Sequence, residues 1–542
     1  VFAPYVIGQR QIQQPQAVSV AGKSIPAPTG GLNARDAIAN MPETDAVIMD
    51  NFFPTQSNVQ LRKGRLTSAT FAGVCETLAG YPGLVANELF AAVNNAGVRS
   101  IYRVDGLAGG PVGAPVVGGS GGTIQPITST QYDWVMSSTG AVEALYLVNG
   151  VDNPLLFDGT AWHSVSQVSV PYALTGINPN TLSAVGSYHG SLFFIQANSF
   201  NVWWLAVDAI AGALTQLPLG AYFTLGGYLV SILTVSIDNS QGLQDYIAFI
   251  ANTGEVVVFQ GYNPASATTW FLSAHFRLGR PIGLGRRCWQ KMGSDAAIIC
   301  VDGVIMMSQA LLTDRSQSRN AVSDKIRNAV NADILNYGNN FGWQAQLYPD
   351  GNKLIINVPT TQASASYQYV MCTLNGSWCT FGKYASPWNA YCFEVLGNNC
   401  YFGTTGSVQQ CDTGQDDAGS SIQGLCTPAF SYFGLTGRLK RWTMARPIFT
   451  VNGSLSVGLT FNVDFAMGVP TGTVPVTVGN AAPWNTSPWN TTFWGDATVI
   501  SKQWIGISGL GYAGSLSLQV NAKDVTIQWQ STDYQFEPGG LM

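Results

Sequence analysis

The chain has 542 residues, a net charge of −5, and only 10% charged against 46% apolar residues. That balance excludes disorder driven by charge, a long coiled coil rich in Lys and Glu, and an overall basic footprint for nucleic acid. Sixty glycines among many Thr, Val and aromatic residues point instead to short strands and tight turns, and so few charges point to a surface covered by neighbours.

Residues 1–45 carry no sustained period. Gln13-Gln14-Pro15-Gln16 and Pro26-Ala27-Pro28 mark an extended N-terminal arm. Phe2, Tyr5, Val6 and Ile7 are its expected anchors on another chain. From 46 to 424 the pattern is strand, turn, strand. Strands are expected at 59–65, at 144–148 and 155–157 around Asn149-Gly150, and at 246–251 and 255–260 around Thr253-Gly254. Others are expected at 296–301 and 304–307 around Asp302-Gly303, at 369–374 and 378–381 around Asn375-Gly376, and at 392–396 and 400–403 around Gly397. Their spacing of about 40 to 60 residues falls in the range of propeller blades. The fold class read from the sequence is therefore all-β: a β-propeller-like array over 46–424, with an additional C-terminal β domain over 425–542. One short helix is expected over 320–335, where Val322, Ile326, Ala329, Val330 and Ile334 recur at near-helical period, capped by Ser318 or Asn320. The uncharged stretch 209–237 contains Gln216, Pro218, Gly226 and Gly227 and then alternates, so it reads as buried strands and no membrane span is expected.

The nine cysteines include no Cys-x-x-Cys pair, and no His falls among Cys372, Cys379, Cys392, Cys400 and Cys411. Buried thiols in a reducing compartment are expected, and no metal. His163, His189 and His275 stand apart from any ligand or nucleophile pattern. Gly118-Gly119-Ser120-Gly121-Gly122 matches Gly-x-Ser-x-Gly, but Thr123-Ile124-Gln125-Pro126 starts no helix, as a nucleophile elbow requires. Gly509-Leu510-Gly511-Tyr512-Ala513-Gly514 runs into an alternating strand, where a dinucleotide site needs a helix. Gly22-Lys23-Ser24 lacks the first glycine of a phosphate loop, and Asp416-Asp417 reads as a turn. These readings predict a protein that is not an enzyme and has no cofactor.

Basic residues group in three places: Arg62, Lys63 and Arg65; Arg277, Arg280, Arg286, Arg287 and Lys291; and Arg438, Lys440, Arg441 and Arg446. Two roles fit them, contact with DNA phosphates in a channel and pairing with carboxylates across a subunit interface. The acidic net charge favours the second. Trp484, Trp489 and Trp494, in the repeated Pro-Trp-Asn stretch, are candidate interface anchors, with sugar stacking as the other use of such rings.

Gly30-Gly31-Leu32-Asn33-Ala34-Arg35-Asp36, then Met41-Pro42, Asp45-Ala46-Val47 and Asp50-Asn51-Phe52-Phe53-Pro54, resembles the opening of the tail nozzle family of short-tailed bacteriophages, the tail tubular protein B-like proteins. The likeness continues through Val59, Leu61, Arg62, Lys63 and Gly64. It returns at Gly254-Glu255-Val256, Gln260-Gly261, Arg277 to Arg287, Ser323-Asp324-Lys325-Ile326, Trp494-Gly495 and Ser531-Thr532-Asp533-Tyr534. The resemblance implies a structural virion protein of the phage tail, assembled in the host bacterial cytoplasm. It implies a homo-oligomer, a ring of six copies (a hexamer), below the portal and tail adaptor, touching other tail proteins and, transiently and without sequence preference, the phage genome as it leaves. The other tail role left open is a host-facing protein that binds or cleaves glycan.

Overall fold

Turn residues and alternation build the sheets locally. Asn149 accepts bonds from the amides of Val151 and Asp152 at 3.1 and 2.8 Å, and so reverses the chain between Glu143–Val148 and Leu155–Phe157. The computed structural model describes residues 20–124, 126–140, 142–239, 242–282, 287–312, 321–470, 472–476 and 498–539. Strands hold 54% of the chain and helices 6%, so the fold is all-β as the sequence predicts.

Four consecutive antiparallel sheets stand as separate propeller blades. The first runs Asp133–Ser138, Glu143–Val148, Leu155–Phe157, Trp162–Ser164. The second runs Leu182–Tyr188, Ser191–Gln196, Asn201–Trp204, Thr215–Pro218. The third runs Leu229–Asn239, Gly242–Ala251, Glu255–Gly261, Trp270–Arg277. The fourth runs Trp289–Met292, Asp295–Cys300, Gly303–Met306. The stretch 209–237 thus divides between two blades, and no helix among the described residues is long and apolar enough to cross a membrane.

Two larger sheets carry the row onward. The innermost strands touch in order, from Asp133–Ser138 through the blades above to Gln344–Tyr348, Cys392–Leu396 and Arg65–Pro82. Arg65–Pro82 closes the ring. Its first half pairs with Thr405–Cys411, and its second half pairs with Asn87–Asn95, so one strand belongs to the last sheet and the first. Closure removes the open strand edges that a charge-poor chain cannot protect with lysines. Apolar side chains bind each sheet to the next. Phe90, Ile101, Leu145 and Phe157 join Arg65–Pro82 and its hairpin to the first blade, and Tyr146, Leu156, Val185 and Phe194 join the first blade to the second. Phe193, Ile232 and Phe249 join the second to the third, Val256, Ala296 and Ile298 the third to the fourth.

The expected helix is present. A 3-10 turn at Asp324–Ile326 leads into Arg327–Tyr337, with Val330 and Ile334 buried. Ser318 and Asn320 lie outside the described residues; Ser323 Oγ accepts from the Val304 amide at 2.9 Å instead of capping the helix. A second short helix, Met307–Leu312, begins where the sequence suggested only a strand.

The expected boundary at residue 45 is displaced. Residues 1–19 lie outside the described residues, but Ala21–Pro26 is no free arm: it pairs along its length with Ile527–Pro538. Asp45–Asp50 pairs with Ile422–Pro428, and Val59–Leu61 with Ile527–Pro538. Residues 21–61 therefore build one β unit with the C-terminal strands. Alternating side chains make these strands; only partners some 500 residues away give them a sheet. One ten-stranded sheet crosses from the ring into this unit, because Asp45–Asp50 bridges Trp378–Phe381 of one ring sheet and Ile422–Pro428 of the other.

Candidate functional site

The three basic groups have different fates. Arg62 is fully buried and holds Asp417 with two bonds, Nη1 to Oδ1 at 2.8 Å and Nη2 to Oδ2 at 2.6 Å. Its Nε donates to Asn51 Oδ1 at 2.7 Å, and its guanidinium lies 5.1 Å from the centre of the Trp388 ring. Arg65 shares the Asp417 charge at 4.0 Å, and burial lowers its pKa. Asp416-Asp417 is thus a turn as expected, and it also supplies the counter-ion. Gly64 is required there, because a Cβ would overlap the Asp416 carbonyl.

The last group is also used internally. Lys440 Nζ donates to the carbonyls of Leu435, Arg438 and Tyr512 at 2.7, 2.9 and 2.8 Å, and burial lowers its pKa. Arg446 pairs with Asp533 at 2.6 Å and lies 4.7 Å from the Trp504 ring centre, and Arg441 lies 3.5 Å from Glu537.

The middle group is split. Arg286 lies outside the described residues, as do Trp484, Trp489 and Trp494. Arg287 turns toward the ring's inner strands: its guanidinium stacks 4.0 Å from the Trp134 ring centre, Nη1 lies 3.8 Å from Glu394 Oε2, and its backbone bridges Gln344. Trp134, Gln344 and Glu394 belong to three different inner strands, so Arg287 ties the ring across its middle. Glu394 is buried, and burial pushes its carboxyl up to about 8, against the opposing pull of Arg287. The sequence reading overlooked Glu394; its one signal is a lone acid within the apolar strand Cys392–Leu396. Lys291 is exposed on Trp289–Met292.

Arg277 and Arg280 remain on the surface. Arg277 ends Trp270–Arg277 opposite Glu255, but that carboxylate turns away to the Thr224 and Leu225 amides at 3.0 and 2.9 Å. Neither arginine has a carboxylate partner among the described residues. Both line a hollow of about 560 Å³ with Leu225, Thr253, Leu278, Val301 and Leu335. Arg280 and Leu335 also line an adjoining hollow of about 240 Å³ between Tyr228, Asn252 and the end of the helix.

The motif matches resolve as the sequence context suggested. Gly118 ends a two-residue strand and Gly122 folds back on it at 3.1 Å, with no helix following. The Gly509 match joins Ile505–Gly511 to Gly514–Ala522, and Gly22-Lys23-Ser24 lies inside Ala21–Pro26. His163 lies 2.8 Å from Asp158, His189 3.7 Å from Asp245 and His275 3.6 Å from Glu255. All nine cysteines are buried free thiols.

No family model matches the chain, and no curated protein matches it. Solved structures do. The BBS1N chain from its complex with ARL6DN is 11% identical, over 64% of this chain and 96% of that one, with a TM-score of 0.35. An exo-β-1,3-galactanase from Phanerochaete chrysosporium is 10% identical, over 76% and 97%, with a TM-score of 0.25. A family 43 arabinoxylan arabinofuranohydrolase from Bacillus subtilis is 9% identical, over 85% and 96%, with a TM-score of 0.26. Likenesses this distant assign neither activity nor partner to this chain. The glycosidases do correct one expectation, that the chain is not an enzyme. Glycosidase carboxylates are defined by their separation in space, so a sequence without a recognisable motif excludes no such activity.

Proposed function

We propose that this chain is a nozzle subunit of a short-tailed phage, assembling with copies of itself into a ring around the DNA exit channel, below the portal and adaptor. In this role it retains the genome and releases it on ejection. The observation that carries the reading is where the family-like phrases meet. Lys325 and Gly30 stand 295 residues apart, yet Lys325 Nζ donates to the Gly30 carbonyl at 3.0 Å and to Asp45 Oδ1 at 2.8 Å. Asn33 Nδ2 donates to Asp36 and Asp45 at 2.9 and 2.8 Å, Arg35 pairs with Asp324, and the Ala34 amide donates to the Lys325 carbonyl at 2.8 Å. Gly31, with φ +79, packs so closely on Trp378 that a Cβ would overlap its backbone. Phrases scattered in sequence thus build one junction, which is what a shared structural framework requires of them.

A channel for a whole genome passes every sequence, so its wall holds phosphate weakly and reads no base edges. The acidic net charge suits such a wall. Particle images of the purified chain or of the virion test the proposal: a six-fold ring at the tail supports it, and a three-fold spike or fibre overturns it.

A further inference from the structure

We infer that the groove between the third blade and the helix, floored by Leu225, Leu278, Val301 and Leu335 and flanked by Arg277 and Arg280, is the docking site for a carboxylate-bearing turn of a second copy of this chain. The inference rests on the ring assembly proposed above and names the surface through which it forms. Four observations lead to it.

First, the fold consumes its other basic groups. Arg62, Arg287, Lys440 and Arg446 all have partners within the chain, whereas Arg277 and Arg280 have none among the described residues. Second, the floor is apolar and open: Leu335 is 64% exposed and Leu225 47%. Exposed leucines beside arginines suit a protein surface that buries an apolar side chain and pairs an acid at its rim. Third, the Thr253 hydroxyl lines the hollow, is shielded from water and has no hydrogen-bond partner, so a donor awaits an acceptor there.

Fourth, the complement is present on this chain. There are 30 acidic residues against 25 basic ones. Asp208, Asp350 and Asp524 are exposed, and no basic side chain pairs with them. Each stands on a connection between strands: Asp350 between Gln344–Tyr348 and Lys353–Thr361, Asp524 between Gly514–Ala522 and Ile527–Pro538, and Asp208 after Asn201–Trp204. Such turns are convex where the groove is concave. A groove on one face meeting a turn on another is a head-to-tail contact, the kind that closes into a ring.

Sedimentation of the full chain tests this, with thermal melts to show that each variant folds. The concentration for half-assembly is expected to rise about tenfold or more in Arg277→Glu/Arg280→Glu and in Leu335→Asp, and the first loss is expected to be relieved by one of Asp208→Arg, Asp350→Arg or Asp524→Arg. Unchanged assembly in either groove variant overturns the inference, and so does a loss that none of the three reversals relieves. Intact assembly with weakened, salt-sensitive binding of duplex DNA also overturns it and assigns the arginines to phosphate. The two readings fail separately. A six-fold ring indifferent to the groove variants removes only this inference; an assembly of another order that the groove variants abolish removes only the six-fold ring.

Discussion

Arg62 and Arg280 belong to residue groups that look alike in sequence and stand in opposite surroundings. Arg62 sits where the ring meets the terminal unit, dry, stacked on Trp388 and doubly bonded to Asp417. Arg280 sits on the surface at the edge of a half-empty groove. The buried arginine fixes how two parts of one chain fit; the exposed one is free to act on something else. A cluster of charges read from sequence does not separate these cases, because what matters is whether a carboxylate distant in sequence folds against it.

Perturbing the buried pair is expected to have the largest effect. Arg62→Met leaves Asp417 charged and unpaired in an apolar setting and is expected to cost about 3–5 kcal/mol in urea unfolding. Adding Asp417→Asn is expected to recover much of that loss, since both charges are then gone. A full-sized loss in the double variant would mean that packing, not charge, holds the junction.

The Arg287–Glu394 contact is expected to reveal itself through pH. The Glu394 carboxyl is raised by burial from 4.5 to about 8. The folded chain therefore keeps this proton between pH 4.5 and 8, where the unfolded chain has lost it. Its contribution to stability is full below pH 4.5 and declines as the pH rises to 8, by about 1.4 kcal/mol per pH unit. Glu394→Gln is expected to remove that slope from a series of melts; an unchanged slope would show that the carboxyl titrates normally.

Arg446 sharpens the comparison from between the extremes. Its pair with Asp533 is partly exposed and backed by Trp504. Arg446→Ala is expected to cost about 1 kcal/mol, and less in high salt. At the far end, Arg277→Ala and Arg280→Ala are expected to change the stability of the isolated chain by less than about 0.5 kcal/mol, since they contact no carboxylate in it.

The blades were legible because they are local. Strand, turn and strand lie within 20 residues, and Leu155–Phe157, Trp378–Phe381 and Cys392–Leu396 fall at the residues expected. The terminal unit was not, because Ala21–Pro26 has polar and apolar residues that alternate like any edge strand, and nothing within 400 residues pairs with it. The candidate site was half legible for the same reason. Arg277 and Arg280 were singled out correctly as surface cations, whereas Arg287 was grouped with them although its partners Trp134 and Glu394 each lie over 100 residues away.

The pairing of Ala21–Pro26 with Ile527–Pro538 has a consequence for synthesis. A ribosome adding about 5–20 residues per second takes between roughly half a minute and two minutes to reach the second strand after making the first. Throughout that interval the early strand has no partner, and the ring strand Arg65–Pro82 still lacks Thr405–Cys411. The blades from 133 to 306 fold as they emerge, while both closing contacts wait for the last quarter of the chain. A nascent chain of this design carries two open strand edges for most of its translation, and its yield in a cell depends on how well those edges are kept from finding each other on neighbouring chains.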